Sequence, residues 1–234
     1  MDTDRSADRM TAQKQAFSVH KDLLVAKSAF FAKALDNRDA SAENTTARWI
    51  EGETGIVRLP EDDPGLFATY LRLLYSGKAP AFQRSEGLND EEDQSIQREK
   101  AMRQNSIFIK TCSQLYVFCE KIQDLGSKRT LLESMVQAST IKTSRSHSYP
   151  GVKVVNILYE GTAASDPIRK FLRDVAVLRG RETWIKNIPR YNTEYLQDIV
   201  ASVYRTEVAL HSMHASFQMF LSTAGGSTQA RKKA

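Results

Sequence analysis

VRLPEDDPGLFATYLRLLYSGK, residues 57–78, decides how the chain has to be read. Asp63 is of a type that caps a helix by accepting hydrogen bonds from its first free amides. Pro64 has no amide to waste there, and its φ already suits the first helical position. Asp62 and Asp63 also face the positive end of the helix dipole. Behind them Leu66, Phe67, Tyr70, Leu71 and Leu74 recur at the spacing of one helical face, and Gly77 stands where a left-handed C-terminal cap is wanted. Just upstream, Ile56-Val57-Arg58-Leu59 predicts a short strand, stopped by Pro60.

On the N-terminal side, residues 36–55 are polar apart from Trp49 and Ile50 and read as a loop. Phe17–His20 (FSVH) alternates apolar and polar, the pattern of a second short strand. From Asp22 to Leu35 the apolar residues Leu23, Ala26, Phe30 and Ala34, flanked by Leu24, Phe31 and Leu35, predict one helix with a wide buried stripe. Residues 1–16 have no apolar period and are expected to be flexible.

On the C-terminal side, residues 78–110 carry the run GLNDEEDQ and few large apolar side chains, so a mobile insertion with a helical turn in its second half is expected there. Leu115, Phe118, Cys119 and Ile122 then restore helical spacing up to Gly126. Ser127 can cap a further helix through Leu131, Leu132, Met135 and Val136. A polar hinge, Thr143–Gly151, separates this part from a stretch that reads as helical throughout. There Ser165-Asp166-Pro167 repeats the capping pattern before Ile168, Phe171, Leu172 and Val175. A last helix starting near Thr193 uses Leu196, Ile199, Val203, Leu210 and Phe217, and residues 224–234 form a flexible basic tail.

Composition narrows the classes of function. The chain has 234 residues, long enough for one or two domains, and no apolar run long enough to span a bilayer. Its start is polar and rich in acidic residues, unlike a secretory leader, and an intracellular location, cytoplasmic or nuclear, is expected. The only cysteines, Cys112 and Cys119, lie seven apart in a helical pattern and cannot bridge each other. The net charge of +5 is uneven: residues 1–77 carry 12 acidic against 10 basic side chains, residues 111–234 carry 10 against 17.

Three stretches together resemble a known family. FSVHKDLLVAKSAFFAKAL, VRLPEDDPGLFATYLRLLYSGK and LYVFCEKIQDLGSKRTLLESM, in that order, are similar to a BTB/POZ domain, and specifically to the fungal group that carries LPEDDP and a polar insertion. NILYEGTAASDPIRKFLRDVAV resembles the helical extension that follows the domain in that group. The resemblance covers residues 17–205 and implies an α+β fold: a BTB/POZ helical cluster with a small flanking β-sheet over 17–142, interrupted at 78–110, then an all-helical extension over 151–223. It implies a non-enzymatic protein–protein interaction module that self-associates. A second reading is a substrate adaptor that binds a cullin scaffold in a ubiquitin ligase. Lys21 matches the basic residue of the family's charged pocket. No apolar alternation precedes Phe17, where the family carries a further strand, so a homodimer would rest on helix packing alone and be weak.

No catalytic, cofactor-binding or metal-ligating set stands out. Glu207, His211 and His214 share a helical flank, but Leu210 and Phe217 lie close by, so a core edge explains them better than a metal. Ser76-Gly77-Lys78 lacks the upstream glycine and following hydroxyl of a phosphate loop, and a helix cap explains Gly77. The densest basic stretch runs from Arg169 to Arg190. With Lys21, Arg169, Lys170, Arg173, Arg179 and Arg181 make a candidate partner surface. These basic residues interleave with Ile168, Phe171 and Leu172, so they read largely as the solvated outer side of an amphipathic helix; as a partner, an acidic protein ranks ahead of nucleic acid or chromatin. No membrane partner is expected.

Overall fold

A computed structural model describes residues 15–35, 50–80, 94–140, 150–179 and 185–205. The chain divides into two compact units, Met1–Ser148 and Tyr149–Ala234. In the first unit the helices are α1 (Lys21–Lys27), α2 (Ala29–Ala34), α3 (Ile50–Thr54), α4 (Pro64–Ser76), α5 (Gln94–Lys121) and α6 (Leu125–Thr140). In the second they are α7 (Val152–Gly161), α8 (Pro167–Arg179), a 3-10 turn at Ile188–Arg190, and a helix over 193–205, α9.

The expected flanking β-sheet is corrected: none of the described residues is in a strand. One amide in each presumed strand has another acceptor. The His20 amide donates to the Tyr75 hydroxyl, and the Phe17 ring meets Phe67 edge-on at 5.1 Å, so side chains rather than a partner strand hold this segment to α4. In the second presumed strand the Ile56 amide donates to the Thr54 hydroxyl and the Asp62 amide to the Leu59 carbonyl, both local turns. Four-residue apolar runs specify an extended chain but carry no information about a pairing partner.

Helix α4 follows its sequence signals. Asp63 Oδ1 accepts from the Leu66 amide at 2.7 Å, Pro64 opens the helix, and Gly77 closes it at φ 66. Tyr70, Leu73 and Leu74 are buried, so the inner face is centred on Tyr70 and lies rotated from the expected one, with Leu66, Phe67 and Leu71 half-buried at its edge.

The single helix expected over Asp22–Leu35 is two. Ser28 takes an extended conformation, donates its amide to the Leu24 carbonyl and so ends α1. Its hydroxyl oxygen then caps α2 by accepting from the Phe31 amide, while the hydroxyl itself donates to the Ile122 carbonyl. The first amides of α2, on Ala29 and Phe30, donate to the Gln123 and Ile122 carbonyls that close α5. Free donors at one helix start thereby meet free acceptors at another helix end, which satisfies both sets and aligns opposite dipole ends.

Helix α5 begins at Gln94, inside the stretch expected to be a mobile insertion, and by residues 105–109 it already buries Asn105, Phe108 and Ile109. Residues 81–93, which include GLNDEED, lie outside the described residues. Helix α5 packs chiefly on α6 and also on α4. Its buried face of Cys112, Leu115, Tyr116, Phe118 and Cys119, with Ile122 just past its end, forms the centre of the core with Tyr70, Leu131 and Met135.

The second unit has its own core. Val154, Val155, Leu158 and Tyr159 of α7, Ile168 and Leu172 of α8, and Tyr195 and Ile199 of α9 are all buried. Asp166 Oδ1 accepts from the Ile168 amide at 2.9 Å, so Ser165-Asp166-Pro167 starts α8 as its composition predicts.

Candidate interaction surfaces

The basic cluster looks different once folded, and Arg169 is the reason. Its side chain lies inside the second unit, with the residue only 6% exposed. Nη2 donates to the Tyr159 carbonyl at 2.6 Å and to the Thr162 carbonyl, and Nε to the Thr162 hydroxyl at 3.3 Å. Nη1 donates to Glu194, and the guanidinium carbon sits 4.5 Å from the centre of the Tyr159 ring. The planar guanidinium presents its five donors in a rigid fork, which lets one residue neutralise the carbonyl-rich end of α7 and reach α9 at once. Arg169 therefore joins three helices from within and offers nothing to a partner.

The remaining members of the predicted surface belong to both units. Lys170 is exposed and pairs with Asp174 one turn on, at 3.4 Å. Arg173 is half-buried with Nε 3.5 Å from the same carboxylate, so the two cations share one acidic partner. Arg181 lies outside the described residues, and α8 ends at Arg179. Lys21 is exposed at the start of α1 in the other unit, beside Asp22. Of the six, Arg169 is thus an internal residue of its own unit, and Lys21 belongs to the other unit. The missed signal for Arg169 was positional: it follows the buried Ile168 and sits one turn before Arg173, at the border of the apolar stripe, where a long side chain can turn inward.

Two other polar groups are buried as partners of each other. Asp124 is 0% exposed, accepts from the Tyr70 hydroxyl at 3.0 Å and caps α6 by accepting from the Ser127 amide at 2.9 Å. Capping of α6 thus falls to Asp124, not to Ser127. Burial, and secondarily the charge of Asp124, pushes the Tyr70 phenol above the ordinary tyrosine range. In the second unit burial and a hydrogen bond to Asp198 do the same to Tyr159.

Both thiols are interior. Burial pushes Cys112 up to about 12 and raises Cys119 as well, with the neighbouring Asp124 charge adding to it. A thiol held protonated at neutral pH is a poor nucleophile, because the thiolate is the reactive form. Among the described residues no three His, Cys, Asp or Glu side chains are placed to hold a metal ion. Glu207, His211 and His214 lie outside the described residues. Among the described helices none is long and apolar enough to cross a membrane.

Two outward faces are apolar. On α1 and α2, Leu24, Phe31, Ala34 and Leu35 go into the core, whereas Leu23, Val25 and Phe30 are half-buried and Ala26 and Ala29 are exposed. On α9, Leu196, Val200 and Tyr204 line a shallow apolar depression, with Val200 68% and Tyr204 67% exposed. No protein-family model matches the chain, and neither a curated protein nor a solved structure matches it.

Proposed function

We propose that this chain is a non-enzymatic protein–protein interaction module that forms a homodimer through α1 and α2. The observation in favour is that the three stretches resembling a BTB/POZ domain are brought together in one core. Ser28 of the first bonds the Ile122 carbonyl of the third, Tyr70 of the second bonds Asp124 of the third, and the Phe67, Tyr70 and Phe118 rings stack edge to face. Residues that carry the resemblance are thus the ones that hold the unit together.

A second copy suits the α1–α2 face on chemical grounds. Its apolar residues, Leu23, Val25, Ala26, Ala29 and Phe30, lie around the exposed Lys27, and the two exposed alanines let a second backbone approach closely. Such a contact gains from apolar burial and responds little to salt. Sedimentation of the full chain over a concentration series, at low and high ionic strength, should show a monomer–dimer equilibrium that salt leaves nearly unchanged. Ala26→Glu and Ala29→Glu place charges on exposed positions, so the fold should persist while the dimer dissociates. A strict monomer at high micromolar concentration overturns self-association, and a dimer unaffected by both variants overturns the assigned face.

A further inference from the structure

We draw no further inference here: the strongest candidate, the exposed apolar stripe of Leu196, Val200 and Tyr204 along α9 in the second unit, carries none because nothing in the structure shows what covers it.

Discussion

Arg169 and Gln123 are the residues at which local chemistry and position diverge most from appearance. Arg169 satisfies the Tyr159 and Thr162 carbonyls, the Thr162 hydroxyl and Glu194 from a buried position. Replacing it by methionine keeps much of the volume but leaves carbonyl groups without donors, at about 1–3 kcal/mol for each group that stays buried. Arg169→Met should therefore lose about 3 kcal/mol in a denaturant titration. A loss under about 0.5 kcal/mol, the usual range for a surface site, would return Arg169 to the exterior. Gln123 is exposed and adopts φ 57, the left-handed region that costs a side-chain-bearing residue about 1–2 kcal/mol. It takes the place expected of Gly126, turning the chain between α5 and α6 while its carbonyl receives the Ala29 amide. Gln123→Gly relieves the strain and adds some unfolded-state freedom, so a net gain of up to about 1 kcal/mol is expected. A destabilised glycine variant in the same titration would show that the glutamine side chain contributes more than the turn costs.

Among the elements, α5 differs most from its reading. A polar, acidic composition is a sound signal of weak self-ordering when a segment stands alone. Residues 94–110 do not stand alone: they extend a helix whose later turns are anchored on α6 and α4, and extension adds a hydrogen bond per residue without a new nucleus. The interior then takes Phe108 and Ile109. Ile109→Ala should cost about 2–5 kcal/mol, equivalent to a fall of roughly 5–15 °C in the thermal midpoint of a domain this size. An unchanged midpoint would mean that this part of α5 adds nothing to the core. The opposite failure occurred at Asp22–Leu35, where an unbroken apolar stripe concealed a break. Ser28 is a poor helix interior residue and a good cap, and the proton of its hydroxyl goes to the Ile122 carbonyl, 94 positions along the chain.

At the scale of the whole molecule, two units with separate cores share one electrostatic property. Each holds weak acids protonated by burial: Cys112, Cys119 and Tyr70 in the first, Tyr159 and Tyr191 in the second. For Cys112 the ordinary value is 9.0 and the folded value about 12. Between those limits the folded chain binds more protons than the unfolded one, so stability is fully present below pH 9 and declines as the pH rises through this window. The slope is about 1.4 kcal/mol per pH unit for each such group. Denaturant midpoints measured from pH 8 to 11 should fall progressively, and Cys112→Ala should make the decline shallower. A flat profile would place the thiols in contact with solvent.

What the sequence by itself determined were features that depend on neighbours along the chain. Asp63, Pro64 and Gly77 bound α4, and Asp166 and Pro167 open α8, because caps act over three or four residues and need no tertiary partner. The helical spacing of Leu115, Phe118, Cys119 and Ile122 likewise marked a core face in advance, since periodicity reports a buried side whatever covers it. What only the tertiary structure decided were features whose partner is remote. Phe17–His20 and Ile56–Leu59 could not announce that no strand among the described residues would pair with them, and Arg169 could not announce that Glu194 and the Tyr159 and Thr162 carbonyls would draw it inward. Hydrogen-bonding groups must be satisfied wherever the fold places them, and the donor or acceptor that satisfies them is chosen by distance in space, which sequence spacing does not encode.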